Sequence, residues 1–204
     1  EAHQRFYQEA RIAGKLSHPN VINIFNIEKH DSVTSIIMEY VGGGNVNDLI
    51  AKHGRLDALY ASRIMIGIMT GLDAAHNMEV THRDIKGANI LLGIGNTPKI
   101  ADFGVAHLPA EAGGIVDTDE AEEQIVIGTP HYIAPELVAG DKACPRCDIY
   151  SAGCVFYEML TGHHVHGFGK ESDWREVWQE VKNAEIVSPL AYCDEIPHEI
   201  VQVV

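Results

Sequence analysis

The sequence predicts an α+β fold in which a few short strands precede a mainly helical body. Residues 21–27 and 35–41 are rich in β-branched side chains, and the polar stretch 28–34 between them indicates a hairpin. Later segments repeat apolar residues at intervals of three and four, which is typical of amphipathic helices. Because the strand signals come first and the helical signals follow, the order favours the α+β class.

An amphipathic helix is predicted before the hairpin, over residues 1–16, with Phe6 and Ala13 on its apolar face. Glu9 is the charged member of that face. Either Glu9 reaches solvent from the edge of the helix, or it is a buried carboxylate that requires a cation. Pro19 ends the helix, because its ring biases the residue before it away from the helical conformation.

The later elements are predicted from the same periodicities and from capping signals. Asn45 or Asn47 can cap a short helix, and a helix with apolar residues nearly all round is expected to be buried. In order, the predicted elements are a short helix through Lys52, a long helix over 57–78, strands at 89–92 and 98–101, a buried helix over 149–159 and an amphipathic helix over 174–181. Residues 102–135 show little periodicity and are expected to form one long loop, which in a compact domain is more often functional than not.

Composition excludes several classes of function. The chain has 204 residues, of which 46% are hydrophobic, enough for one core with a small second lobe. Its 15 basic and 29 acidic residues give a net charge of −14, which argues against binding nucleic acid or an anionic membrane. No apolar run approaches the length of a transmembrane helix. The absence of a signal-peptide pattern and the few cysteines predict a cytoplasmic location, and both ends of the chain are expected to be cut.

One pair of cysteines has the spacing of a redox site or of half a zinc site. Cys144 and Cys147 form a Cys-x-x-Cys sequence, but no second such pair occurs. The histidines at 163, 164 and 166 are not at ligand spacing for it. Because one pair supplies too few ligands for a tetrahedral metal site, the spacing is attributed to chance.

Three short motifs carry most of the functional information. They are "HRDIKGAN" at 82–89, "DFG" at 102–104 and "APE" at 134–136. Asp84 and Asn89 are five residues apart, which does not suit a shared helical face but suits an irregular loop that aims polar side chains at a phosphate. In this order, on a loop, a strand end and a loop-to-helix junction, the motifs are a strong signal.

With these motifs the chain resembles the eukaryotic-type Ser/Thr protein kinase catalytic domain, and residues 148–162 favour a bacterial member. The resemblance covers essentially the whole chain and implies one partial kinase domain. Residues 1–41 would be the remainder of the small N-terminal lobe with the hinge, and residues 42–204 a truncated, mainly helical C-terminal lobe. Lys86 and the "GTP" at 128–130 are similar to the Ser/Thr class, so protein Ser/Thr hydroxyls are the implied acceptors.

The resemblance implies ATP and Mg²⁺ as cofactors and assigns roles in phosphoryl transfer. Asp84 would accept the proton of the substrate hydroxyl, and Lys86 would steady the γ-phosphate. Asn89 and Asp102 would hold Mg²⁺ through hard oxygen ligands. Thr129 would form a hydrogen bond near Asp84 and Lys86.

Further residues are implied to form the ATP pocket. Glu9 would pair with a strand lysine, and Met38 would lie at the back of the pocket. The hinge from Glu39 to Val41 would read the adenine edge through its backbone, and Leu91 would form the floor beneath the base.

Structural support for the motifs is implied at four positions. His82 and Phe103 resemble the stacked hydrophobic spine of the family, below Ala13 and Ile24. Asp148 resembles the residue that holds the backbone of the catalytic loop. Glu136 resembles a buried glutamate that pairs with an arginine in a late helix, and the chain stops before that helix would be complete.

Regulation is implied at Arg83, the family's sensor for a phosphorylated activation loop. Thr118 is the one hydroxyl residue between Gly104 and Gly128. It is either the regulatory phosphosite, or Glu122 or Glu123 pairs with Arg83 as a weaker mimic of phosphate. The third possibility is that this acidic stretch is simply disordered.

The chain departs from the family pattern at its N-terminal side. No Gly-x-Gly-x-x-Gly sequence occurs, and no strand lysine precedes Glu9. The chain alone is therefore expected to be poorly folded or inactive. Two alternatives stay open, a pseudokinase or scaffold and a small-molecule phosphotransferase. Intact polar positions in the 82–89 and 102–104 motifs speak against the first, and the "GTPHYIAPE" sequence at 128–136 speaks against the second.

Overall fold

The computed structural model describes residues 14–30, 33–103, 130–167, 174–183 and 185–204. The fold is mixed α/β, with two small sheets and a larger helical part. Among these residues no helix is both long and apolar enough to cross a membrane. The expectations for positions 1–13 and 104–129 lie outside the described part of the chain; they concern the first helix, Glu9, Ala13, Thr118, Glu122, Glu123 and Thr129.

The predicted hairpin is present. Strand β1 (Ile24–His30) pairs antiparallel with β2 (Val33–Met38), and Ile27 lies opposite Ile36. The β-branched content of both segments suits a pleated, half-buried surface, and the polar connection permits the turn.

The second sheet lies at the end of the 82–89 loop. Strand β3 (Ile90–Leu92) pairs antiparallel with β4 (Pro98–Ile100). The turn between them needs left-handed backbone at Gly95, where φ is 68°, a conformation that glycine adopts without steric cost. The amide of Ile22 donates to the carbonyl of Ile100 at 2.9 Å, which ties the segment leading into β1 to this sheet.

The first two helices begin at capping residues. Helix α1 (Val46–His53) starts at Asn45, whose side chain accepts from the amide of Asp48 while the Asp48 side chain accepts from the amide of Asn45. This reciprocal pair is a capping box. Helix α2 (Ala58–His76) starts at Asp57, which accepts from the amide of Tyr60 at 3.0 Å. Of the two asparagines that could cap α1, Asn45 is therefore the one that does.

The core forms where α2 packs against the second sheet and against a long helix later in the chain. Helix α3 (Pro135–Val138) is short, and this long helix, α4 (Pro145–Thr161), follows it. The buried core residues of α2 and α4 include Ile64, Ile68, Leu72, Val155 and Met159. A side chain at Gly67 would collide with Pro98, so this glycine lets α2 lie against β4. The predicted burial of α4 is confirmed, except that Ile149 is 46% exposed.

The last elements are helix α5 (Trp174–Asn183) and the short helix α6 (His198–Val201). Val177 and Val181 of α5 are buried against Ile133 and Val138, which form a small separate cluster. Helix α5 was predicted, whereas no signal in the sequence singled out α6.

The prediction of one loop over residues 102–135 is wrong at its end. A 3₁₀ helix spans Pro130–Tyr132, and α3 begins at Pro135. Proline is favoured at the first position of a helix, because its fixed φ is helical and its missing N–H has no intrahelical partner there.

Candidate active site

The backbone of the 82–89 loop is held from below by one buried carboxylate. Asp148 lies in the first turn of α4 and is 1% exposed. Its Oδ1 accepts from the amide of Arg83 and its Oδ2 from the amide of His82, both at 2.8 Å. Nε2 of His76 lies 2.8 Å from the same Oδ2. The expectation that Asp148 supports this loop is confirmed.

His82 connects the loop to the segment that carries Asp102. Its Nε2 lies 2.8 Å from the carbonyl oxygen of Ala101, and its Nδ1 accepts from the amide of Asp84 at 3.2 Å. A carbonyl can only accept, so the ring is the neutral tautomer with hydrogen on Nε2. Burial lowers the pKa of His82 and keeps it neutral, although the Ala101 bond and nearby carboxylates act in the opposite direction. Its ring contacts that of Phe103 with centroids 4.7 Å apart.

The polar side chains of the loop converge on Asp84. Nζ of Lys86 lies 2.6 Å from Oδ2 of Asp84. Nδ2 of Asn89 donates to the Asp84 carbonyl at 2.8 Å and lies 3.2 Å from Oδ2. A lysine and an amide therefore fix the direction of one carboxylate.

Two residues of the site have left-handed backbone. Arg83 has φ of 72° and Asp102 has φ of 62°. For residues other than glycine this conformation costs roughly 1–2 kcal/mol. The bond from the Arg83 amide to Asp148 helps to hold the first of these conformations. Such backbone is concentrated at functional sites, where surrounding contacts maintain it.

Asp102 is exposed between two buried neighbours, Ala101 and Phe103. The amide of Ala101 donates to the carbonyl of Asn89 at 2.9 Å, so the 82–89 loop and the end of β4 are adjacent. A small cavity opens here; it is lined by Ile22, Ile24, Ile36, Met38, Ile100, Ala101, Asp102 and Phe103. The exposed carboxylate of Asp102 and the nearby Asn89 amide are hard oxygen donors of the kind that Mg²⁺ prefers.

The predicted hinge is bound to the segment that precedes β1 and to the second sheet. The Glu39 amide donates to the carbonyl of Asn23 at 2.9 Å, and the Glu39 carboxylate pairs with Lys99 at 3.0 Å. Partial burial raises the pKa of this carboxyl, but the hydrogen bonds from Lys99 and Asn23 outweigh it and leave the pKa below its usual value. The amide of Leu92 donates to the carbonyl of Gly44 at 2.9 Å. Leu91 and Val41 are both partly buried.

The structure brings some of the expected residues together and separates others. Asp84, Lys86 and Asn89 form one cluster, His82 contacts Phe103, and Met38 and Asp102 line one cavity. Glu136 lies elsewhere, with its Oε1 3.5 Å from Sγ of Cys147. Among the described residues no ion pair to Glu136 is found, so its expected pairing with a late arginine stays a prediction.

Sequence reasoning missed three residues that hold the site. His76 contacts Asp148, while Lys99 and Asn23 hold Glu39. The pairs are 72, 60 and 16 positions apart in the chain. His76 lies in the last turn of α2, where a histidine is also favoured by its interaction with the helix dipole. Its position in the sequence therefore did not indicate that it contacts Asp148.

A mixed α/β fold, a loop with this polar cluster and a buried aspartate beneath it define the class of the protein kinases. The profile of the protein kinase domain family matches residues 1–201. The chain therefore belongs to the protein kinase domain family.

The similar proteins include several bacterial Ser/Thr kinases. A probable serine/threonine-protein kinase of Corynebacterium efficiens is 35% identical over 197 residues, covering 95% of this chain and 29% of the relative. The serine/threonine-protein kinase PknB of Mycobacterium tuberculosis is 35% identical over 162 residues, covering 78% of this chain and 25% of the relative. A probable PknB of Bifidobacterium longum is also 35% identical, over 167 residues, covering 78% of this chain and 24% of the relative. The chain thus spans between about a quarter and a third of the length of these relatives.

Proposed function

We propose that this chain carries the phosphoryl-transfer site of an ATP-dependent kinase that phosphorylates Ser and Thr hydroxyls of proteins. The single observation that carries the proposal is the cluster on the 82–89 loop. There the Asp84 carboxylate is 2.6 Å from the Lys86 ammonium and is also contacted by the Asn89 amide. A carboxylate oriented in this way suits a hydroxyl donor on its remaining lone pairs, and the adjacent cation suits a phosphate.

In this proposal the loop performs the chemistry with little covalent work by the protein. Asp84 would orient the substrate hydroxyl in line with the γ-phosphorus. It would accept the hydroxyl proton as the new O–P bond forms and the bond from the γ-phosphorus to the oxygen of the leaving ADP breaks. Lys86 balances the negative charge of the transferred phosphoryl group. Asp148 acts through the backbone, because its two bonds to the amides of His82 and Arg83 fix where Asp84 lies.

ATP would supply the phosphoryl group and Mg²⁺ would neutralise its charge when bound. Asn89 and Asp102 offer the oxygen ligands for the ion, and their adjacent backbones support that pairing. Met38 at the cavity, the hinge Glu39 to Val41 and the partly buried Leu91 would contain the adenine. The division into an N-terminal remainder over 1–41 and a C-terminal lobe over 42–204 follows from this assignment.

The remaining site residues are proposed with the roles that the family implies. Glu9 would pair with a lysine, and Thr129 would contact the Asp84 and Lys86 side chains. Arg83 would sense an activation-loop phosphate on Thr118. The regulatory residues also include Phe103, through its contact with His82, and Glu136.

The test is a comparison of Asp84→Asn with the unchanged protein, expressed from its complete reading frame. Transfer of labelled γ-phosphate to casein should fall by about 100-fold or more, because a positioned general base contributes roughly 10²–10⁴. Binding of Mg·ATP should change little, since Asp84 is not assigned to the metal. Phosphoamino acid analysis should find phosphoserine or phosphothreonine in the product.

A matched control is Asp73→Asn, which makes the same charge change on the exposed face of α2. It should leave transfer unchanged. Full activity of Asp84→Asn would refute the assigned role, whereas ATP binding without any transfer by the unchanged protein would favour a scaffold. Residues 1–204 expressed alone should show weak transfer or none.

A further inference from the structure

A second group of metal-binding side chains lies away from the 82–89 loop, where α3 meets the start of α4. Cys144 is the residue that caps α4, and Cys147 lies in the first turn of that helix. Glu136 comes from the first turn of α3. One ligand atom from each of the three lies within 4.8 Å of the others. Neither cysteine is in a disulfide.

The distances in this cluster match the edges of a tetrahedral zinc site. Zn–S bonds of about 2.3 Å and Zn–O bonds of about 2.0 Å at tetrahedral angles place two sulfurs about 3.8 Å apart and a sulfur and an oxygen about 3.5 Å apart. The Sγ atoms of Cys144 and Cys147 are 3.7 Å apart. Sγ of Cys147 and Oε1 of Glu136 are 3.5 Å apart. Two edges of the tetrahedron are therefore present before any side chain moves.

The third edge needs at most a small adjustment. Sγ of Cys144 and a carboxylate oxygen of Glu136 lie within 4.8 Å, so this edge has to shorten by no more than about 1.3 Å to reach the zinc value. Cys144 is only partly buried, and its side chain makes no capping hydrogen bond to the helix. The contact of this side chain with the start of α4 is the one to Sγ of Cys147, which a shared zinc ion would replace.

The chemistry of the three ligands favours zinc over Mg²⁺ and Ca²⁺. Two thiolates and one carboxylate favour a borderline-soft divalent ion over Mg²⁺ or Ca²⁺, which take oxygen ligands. The ligands bring three negative charges, and one Zn²⁺ reduces the total to one. The start of α4 favours the remaining negative charge through the helix dipole. Sites with three protein ligands complete the tetrahedron with water.

We propose that Glu136, Cys144 and Cys147 bind one Zn²⁺ ion that ties α3 to the first turn of α4. The spacing of the two cysteines alone was too weak a signal, because the third ligand comes from a different helix. Cys147 directly precedes Asp148, which holds the 82–89 loop. The ion would thus fix the helical turn on which the loop rests.

The experiment measures zinc binding by the protein expressed from its complete reading frame and purified with a reductant and without chelators. Elemental analysis should find about one zinc per chain. Replacement of zinc by Co²⁺ should give the intense visible absorption of a tetrahedral ion together with sulfur-to-metal charge-transfer bands. The zinc affinity of Cys144→Ser should fall by more than about 100-fold, since even second-shell changes cost 10–100-fold. Serine is a favoured helix cap, so this variant should keep the start of α4.

Two further variants test whether Glu136 is a ligand and whether the zinc is held at this cluster. Glu136→Gln should weaken zinc binding and change the Co²⁺ spectrum while leaving both sulfurs in place. Cys193→Ala removes a buried thiol outside the cluster and should change neither. The proposal is overturned if the reduced protein takes up no zinc, if Cys144→Ser binds zinc as before, or if Glu136→Gln leaves affinity and spectrum unchanged. A Cys144–Cys147 disulfide that persists under reductant would also overturn it.

Discussion

Replacing Asp148 by asparagine should loosen the 82–89 loop without removing any residue that contacts a substrate. The carboxylate accepts from two backbone amides and lies against His76, all at 2.8 Å. Asparagine keeps one oxygen and replaces the other by an NH₂ group. Whichever way the amide is turned, its NH₂ group then faces a backbone N–H of His82 or Arg83, and one donor loses its acceptor.

The magnitude follows from the bond that is lost. A hydrogen bond to a charged group contributes about 1.5–3 kcal/mol, and a buried donor left without a partner costs a similar amount. Taking about 2 kcal/mol for the local opening of the loop, and about 1.4 kcal/mol per factor of ten, hydrogen exchange should become about 30-fold faster. Asp148→Ala removes both bonds and should have a larger effect.

The assay is hydrogen exchange at the amides of His82 and Arg83, followed by mass spectrometry or NMR on the protein from its complete reading frame. Asp73→Asn makes the same charge change on an exposed position and should leave these amides unchanged. Phosphoryl transfer by Asp148→Asn should fall in kcat with little change in KM for ATP. Exchange within about 3-fold of the unchanged protein at both amides would refute the assigned support, because one of the two bonds must be lost.

Two further perturbations test buried contacts of the same region. Tyr132→Phe removes a 2.6 Å hydrogen bond to the buried Glu158 carboxylate and should lower the free energy of unfolding by about 1–3 kcal/mol. Denaturant unfolding measures this change, and Tyr40→Phe, at an exposed ring, is the control. Equal stability of the two variants would contradict the prediction. Burial lowers the pKa of His82 in the folded protein. The unfolded chain therefore takes up a proton near pH 6.5 that the folded chain resists. The stability present above that pH should be lost as the pH falls, by up to about 1.4 kcal/mol per pH unit. His82→Gln should flatten this slope in pH-dependent melting, and an unchanged slope would show that the lost stability comes from other groups.

Local signals predicted most of the fold. The hairpin and the two long helices depend on residues within a few positions of one another, so periodicity was sufficient to predict them. Capping signals left the start of α1 open between Asn45 and Asn47, and the structure identifies Asn45. The end of the predicted 102–135 loop was wrong, because the 3₁₀ helix over Pro130–Tyr132 and the four-residue α3 are too short to show a periodic pattern. Helix α6 has four residues, which is too short for any periodic pattern.

The candidate site also has a part that local sequence signals predicted and a part that they did not. The residues of the 82–89 loop were predicted because the loop is one continuous segment with a recognisable spacing. His76 and Lys99 were missed because their partners are far away in the chain, and one sequence does not encode in any readable pattern which distant residues meet. The cysteine pair was attributed to chance for the same reason. Glu136 joins the two cysteines only because α3 packs beside α4, and the spacing of residues along the chain does not reveal that packing.

The first turn of α4 carries the buried Asp148 carboxylate, and in our proposal it also carries the zinc ligand Cys147. The Asp148 carboxylate has two backbone amides and His76, which together compensate the cost of burying its charge. As zinc ligands, Glu136, Cys144 and Cys147 would contribute three negative charges, and a helix start contributes only a fraction of a charge against them. A divalent cation would balance most of the negative charge of the three ligands, so the same turn could hold both the zinc site and the Asp148 carboxylate. Rigidity of that turn is what the 82–89 loop requires, because Asp84 is placed by the two backbone bonds that Asp148 accepts.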